Sequence, residues 1–211
     1  MKKTRKMEKI FLICGKSCAG KDTLTKEIMK SLKIPMALSF TTRPKRNGET
    51  QGVEYDFIDI NKFEWLQDVN KLAEYTSYTV AGGDIWYYGL TKKELEKDKF
   101  VLAIVNPDGV KQIKELYGED AIVIVIEADD KKRIKRYLDR DSANNIEECF
   151  RRYKADEKDF RNLKPDYTIN NNDFKIGFKH LEGIIRREMA NTILKKTQED
   201  FKNNPANFLG R

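Results

Sequence analysis

The segment Gly15-Lys16-Ser17-Cys18-Ala19-Gly20-Lys21-Asp22-Thr23 constrains the fold more than any other part of the chain. It places two glycines five positions apart, with a lysine directly after the second. An apolar run, KIFLIC at 9–14, precedes it. A stretch with Leu24, Ile28 and Leu32 at four-residue spacing follows. A short apolar run ending at glycine reads as a buried parallel strand, and the four-residue spacing reads as one face of a helix. A strand that turns sharply into a helix through glycines leaves successive backbone N–H groups pointing at one spot. The new helix directs its positive end at the same spot. Lys21 adds a mobile charge suited to the β and γ phosphates of a nucleoside triphosphate. All nine residues, Gly15, Lys16, Ser17, Cys18, Ala19, Gly20, Lys21, Asp22 and Thr23, are therefore expected to line a triphosphate site. In such loops the residue after the lysine is ordinarily Ser or Thr and faces Mg²⁺. Here Asp22 stands there, so Thr23 is expected to take the hydroxyl role, with a water-mediated contact from Asp22 as the alternative. The loop does not identify what receives the phosphate.

The rest of the chain continues the alternation. Strands are expected at 36–40 (MALSF), 99–105, 121–126 (AIVIVI) and 166–170, and helices at 91–97, 107–117, 130–140, 146–160 and 173–192. Residues 41–52, with Pro44 and Asn47-Gly48, read as a loop. The aromatic-rich block 53–90 has alternating stretches at 54–58 and 74–80 and a turn at 81–84, which suggests a small antiparallel subdomain. Strands alternating with helices argue for an α/β fold, a parallel sheet covered by helices on both faces. The helix–polar break–helix pattern over 131–159 suits a closing lid. The expected division is a core (8–38, 98–130, 160–190), a subdomain (39–97), the lid (131–159) and a frayed tail (191–211).

Composition excludes several classes. At 211 residues the chain suits one domain. No apolar run approaches the ~18 residues that a membrane span needs. The run after the basic N-terminus is too short for a secretory signal. Three cysteines (Cys14, Cys18, Cys149) and one histidine (His180) support neither a disulfide framework nor an ordinary zinc site, so reduced thiols in the cytoplasm are expected. The net charge is +7. Residues 1–9, 131–161 and 186–211 carry excesses of four, four and three positive charges, which leaves the remainder net negative. Such a balance suits nucleic acid, anionic membrane or phosphorylated small molecules alike. Aromatics do not interleave with a basic stripe, so no nucleic-acid partner is expected. The oligomeric state is not legible.

The segment Ser39-Phe40-Thr41-Thr42-Arg43-Pro44-Lys45-Arg46-Asn47-Gly48-Glu49, followed by Gly52 and Tyr55, places two arginines three apart on a loop. Two guanidinium forks there could grip one phosphate. Together with the phosphate loop, this segment resembles the guanylate kinase family, which carries Ser-x-Thr-Thr-Arg-x-x-Arg-x-Gly-Glu and then Gly-x-x-Tyr. The resemblance spans about residues 8–188. It implies ATP-dependent, Mg²⁺-assisted phosphorylation of a nucleoside monophosphate, with GMP or dGMP as the expected acceptor. Ser39, Arg43, Arg46, Tyr55 and Tyr88 (in Trp86-Tyr87-Tyr88-Gly89) would hold the acceptor phosphate. Glu74, in Leu72-Ala73-Glu74-Tyr75, would accept from the guanine N1–H and amino group. Arg136, Arg140 and Arg152 would reach the transferring phosphate from the lid, and Asn171 would lie near the adenine of ATP.

Two departures are visible. Where the family has Ser or Thr after Tyr-Tyr-Gly, this chain has Leu90. Where the family has Asp-x-Asp, it has Ile104 and Asn106, the latter still expected at the acceptor. A kinase of altered base or deoxyribose preference is therefore one alternative. A catalytically silent binding module of the same family is another.

Overall fold

A computed structural model describes residues 7–79, 83–139 and 146–203. Arg140, the polar break at 141–145 and residues 81 and 82 of the turn at 81–84 lie outside the described residues. The core is a four-stranded sheet in the order β6-β1-β7-β8, every neighbouring pair parallel. β1 is Lys9–Cys14, β6 Phe100–Ile104, β7 Ala121–Glu127 and β8 Tyr167–Asn170. β1 is central, with Ile10 opposite Val101 on one side and Ala121 on the other.

A central parallel strand has no face in water, which is why β1 and β7 are almost wholly apolar. Ile10, Leu12 and Cys14 face a cluster that takes in Val110 and Ile113 of α4 (Pro107–Tyr117). Phe11 and Ile13 face the opposite cluster, which takes in Leu24 and Ile28 of α1 (Lys21–Leu32) and Leu181 and Ile185 of α7 (Phe174–Asn203). Both faces are therefore covered, as the alternation of elements implied.

The second sheet has the order β3-β2-β5-β4. β2 is Phe40–Thr41, β3 Asp56–Phe57, β4 Leu72–Thr79 and β5 Ile85–Thr91, with α3 at Lys92–Leu95. β4 and β5 form an antiparallel hairpin, β2 runs antiparallel to β5, and β2 pairs with β3 in parallel. The segment where a lid is expected forms two helices, α5 (Asp130–Leu138) and α6 (Ile146–Asp159).

Three expectations are corrected. Residues 36–40 do not form one strand: Met36 makes an isolated bridge to Leu102, and only Phe40 onward joins the second sheet. The subdomain is not all strand. It contains α2 (Ile60–Asp68), capped by Asp59, whose carboxylate accepts from the Lys62 N–H at 2.7 Å, and anchored by buried Phe63 and Leu66. The final helix does not fray at 192. α7 runs on to Asn203, with Thr192 buried and Lys196 3.1 Å from buried Glu8 at the start of β1. Among the described residues, no helix is long and apolar enough to cross a membrane.

Candidate active site

The C-terminal end of β1 opens into the 15–23 loop, and two of its glycines are required by space. Gly15 has φ 153°, and a Cβ there would lie 2.3 Å from the Ile126 carbonyl oxygen of β7. Gly20, the residue before α1, has φ 96°, and a Cβ would meet the Asn171 amide at 2.3 Å. The loop is braced from behind. Asn171, 2 % exposed, donates Nδ2–H to the Ala19 carbonyl at 2.7 Å. The Arg136 guanidinium donates to the carbonyls of Cys18 (3.3 Å), Ala19 (3.2 Å) and Asn171 (2.8 Å). The expectation for both residues was contact with nucleotide; their contacts here are with the loop backbone.

Within the loop, Lys21 donates to the carbonyls of Gly15 (2.5 Å) and Lys16 (3.1 Å). Burial pulls its pKa below the usual lysine value, and the charge of Asp22 is the main opposing influence. Burial alone disfavours the ammonium form, and nearby negative charge restores it. Asp22 and Thr23 are exposed on the first turn of α1. Carboxylate and hydroxyl oxygens are the hard ligands Mg²⁺ takes, and their position after Lys21 fits a metal held between protein and phosphates. Among the described residues, no group of three or more His, Cys, Asp or Glu could hold a metal by itself.

The loop faces a cleft of about 480 Å³ between core, hairpin and lid. Lys21 and Ser17 line it from the core, Tyr88 from β5, Asn106 from the end of β6, and Arg151 and Arg152 from α6. Tyr88 packs edge-on against Tyr55, centroids 5.9 Å apart, and Tyr55 lies under the Arg43 guanidinium at 5.3 Å. Arg43 is buried and bidentate to Glu49, at 2.7 and 2.5 Å. Glu49 also accepts the Arg46 backbone N–H at 2.8 Å. The Arg43 guanidinium, ahead of the Arg46 N–H, holds the Glu49 carboxyl down at about 2, and Glu49 in turn raises the pKa of Arg43. The Arg46 side chain is exposed, and Ser39 is half-buried with its carbonyl accepting from the Asp56 N–H.

Glu74 lies on β4, 7 % exposed, and makes no hydrogen bond among the described residues. Burial pushes its pKa from 4.5 up to about 8. Gly109 of α4 comes so close that a Cβ there would sit 2.9 Å from a Glu74 carboxylate oxygen. Leu90 is the cross-strand partner of Glu74 and is fully buried. Asn106 is committed on both sides: its Oδ1 accepts the Gly109 N–H at 2.7 Å, capping α4, and its Nδ2 donates to Thr76 Oγ1 at 3.0 Å.

The structure thus brings Lys21, Tyr88, Asn106 and Arg152 into one cleft and ties Arg43 and Tyr55 to it through Tyr88. Arg140 lies outside the described residues. Two features went unread in the sequence. Glu49 orients Arg43; its place in the arginine-bearing segment was the available signal. Buried Arg133 pairs with Asp156 across 23 positions, both bond to Ser17 of the loop, and no local pattern marks that pairing.

Comparison with known proteins agrees with this geometry. A model of the guanylate kinase family matches residues 7–188. The chain is 32 % identical to a guanylate kinase of Clostridioides difficile over 204 residues, covering 91 % of this chain and 97 % of that protein. It is 33 % identical to a guanylate kinase of Helicobacter hepaticus over 187 residues, covering 84 % and 89 %. Among solved structures, guanylate kinase from Anaplasma phagocytophilum superposes with a TM-score of 0.64 at 21 % identity, covering 88 % of each chain, a likeness of fold.

Proposed function

The chain belongs to the guanylate kinase family, and from that premise we propose that it transfers the γ-phosphoryl group of ATP to GMP or dGMP. The observation that carries this reading is the one cleft in which Lys21 and the loop face Tyr88, with the Arg43–Glu49 pair behind Tyr55 and Tyr88.

The chemistry asks the protein for position and charge rather than for a base, because the acceptor phosphate is already ionised. Lys21 exchanges its two loop carbonyls for donor phosphates, and the loop amides from Gly15 to Thr23 cradle them. Thr23, with Asp22 beside it, would hold Mg²⁺, which neutralises charge between the β and γ phosphates. Arg43, pre-oriented by Glu49, receives the acceptor phosphate with Arg46, Ser39, Tyr55 and Tyr88. Arg43 and Arg46 allow two anions to approach each other. Arg136, Arg140 and Arg152 supply further charge from the lid side, and lid closure excludes water that would otherwise take the phosphoryl group. Asn171 serves the donor side by fixing the loop that grips it. Reduced Cys14, Cys18 and Cys149 fit a cytoplasmic setting.

Glu74 has the right chemistry for guanine. Its two oxygens would accept from N1–H and the 2-amino group. Leu90 favours a second reading, a kinase of relaxed base choice. A fully buried leucine beside Glu74 offers no donor to a base carbonyl. An unpaired buried carbonyl costs ~1–3 kcal/mol. Discrimination between GMP and 6-thio-GMP should therefore be weak, and Leu90→Ser should sharpen it roughly tenfold.

A coupled spectrophotometric assay with ATP tests the primary reading. GMP or dGMP should turn over, and Lys21→Ala should cut the rate by about 10²–10³. Turnover of pyrimidine monophosphates alone would overturn guanine as the acceptor base. Nucleotide binding without any turnover would favour a silent module.

A further inference from the structure

Two acidic side chains of the lid sit on the phosphate loop. Asp156 of α6 accepts the Ser17 backbone N–H at 2.8 Å through Oδ2 and the Ser17 hydroxyl at 3.2 Å through Oδ1. The neighbouring Glu157 pairs with Lys16. Asp156 is itself held by Arg133 of α5, whose Nη2 donates to Oδ2 at 2.6 Å. Arg133 is 4 % exposed and uses each of its three guanidinium nitrogens as a donor. Its Nε donates to the Ser17 carbonyl at 3.0 Å, its Nη1 to Asp130 at 2.8 Å, and the Tyr153 ring lies 5.4 Å away. Tyr153 closes the ring by donating to Asp130 at 2.6 Å.

The bonding pattern is that of an anion site already filled. A carboxylate on a loop amide, beside a buried guanidinium, has the charge and the donors that a phosphate oxygen would have there. The carboxylate of Asp156 and a donor phosphate cannot share the Ser17 N–H, and two anions so close repel strongly in a partly buried cleft.

We propose that Asp156 is a stand-in anion that occupies the phosphate loop in the empty protein, latching α6 to it through Arg133, and that donor phosphate must displace it. The proposal rests on the donor-binding role assigned to the loop above. Displacement frees the Ser17 amide and a buried guanidinium for the phosphate in one exchange and lets the lid reseat. Donor occupancy and lid position are thereby coupled, because the same carboxylate serves both. Arg133 and Asp156 are positioning residues in this scheme, acting on the reaction through the loop.

The test is calorimetric titration of the full chain with sodium pyrophosphate and with ADP, both without metal. Asp156→Asn keeps the shape and removes the charge, and should bind both ligands about tenfold more tightly than the native chain. Asp159→Asn is the control for bulk charge, since Asp159 lines the same cleft without bonding to the loop; it should change affinity far less. In the native chain, pyrophosphate should also speed hydrogen exchange in α6, a readout that needs no variant. Equal affinity of native and Asp156→Asn proteins, weaker binding by the variant, or an equal gain in Asp159→Asn would overturn the latch alone. Failure of every protein to bind either ligand would overturn the donor-site reading itself. Thermal melts of each variant establish that the comparison is between folded proteins.

Discussion

At the scale of single residues, Glu74 is the group whose behaviour should depend most on pH. Its pKa rises from 4.5 to about 8 because burial disfavours the carboxylate. The unfolded chain releases this proton near 4.5, while the folded chain keeps it to about 8. Between those values the folded state binds more protons, so the contribution of Glu74 makes stability fall as pH rises from 4.5 towards 8. Glu74→Gln should remove that slope and raise Tm at pH 8 by about 3–5 °C in calorimetry. Guanine needs the ionised form, which offers acceptors to its two donors. KM for GMP should therefore fall as pH rises towards 8 and then level, and the Gln variant should lose this dependence with KM raised about 100-fold. A KM that is flat over that range in the native chain would remove Glu74 from base binding.

Arg43 gives a second prediction at this scale. Its guanidinium is fixed by two bonds to Glu49, so Glu49→Ala should raise KM for the acceptor about tenfold, with a smaller change in kcat. Steady-state titration of GMP measures both. Lys21 and Arg43 stood out in the sequence because a glycine-spaced loop and a dense polar segment carry their meaning locally, whereas Glu74 was singled out only by the family resemblance. The commitment of Asn106 to Thr76 was not legible, since Thr76 arrives only when α4 packs on β4; its cap on Gly109 is local.

At the scale of elements, the parallel strands were legible because strands buried on both faces leave continuous apolar runs. α2 was missed although Asp59 provides a helix cap, because only Phe63 and Leu66 are buried and Trp65 is exposed on a nine-residue segment crowded with aromatics. The far end of α7 was missed for a related reason. After residue 192 its sequence shows no apolar stripe, and the helix is held instead by Thr192 and the Lys196–Glu8 pair. Glu8 lies at the N-terminal end of β1, the opposite end from the phosphate loop. Truncation after Asn191 should accordingly lower Tm by a few degrees, about 1–2 kcal/mol at this chain length, and leave both KM values unchanged. A truncated chain with full stability but a raised KM for ATP would show that this end of α7 acts on the site.

At the scale of the whole molecule, the +7 charge resolves into clusters with different work. The segment 131–161 has both signs, and the structure sets two of its acids, Asp156 and Glu157, on the loop and its Arg151 and Arg152 at the cleft. A cationic chain built this way attracts small phosphorylated ligands without needing a continuous basic face. Single-stranded oligonucleotides should therefore fail to compete with ATP at ~150 mM salt in a fluorescence displacement assay. The most direct measurement of the proposed reaction is of kcat/KM with ATP across GMP, dGMP, AMP, CMP, UMP and TMP, for the native chain and for Lys21→Ala. The predicted result is highest kcat/KM with GMP or dGMP, lost by two orders of magnitude or more in the variant. Turnover confined to non-guanine acceptors, or a Lys21→Ala enzyme as active as the native one, would contradict it.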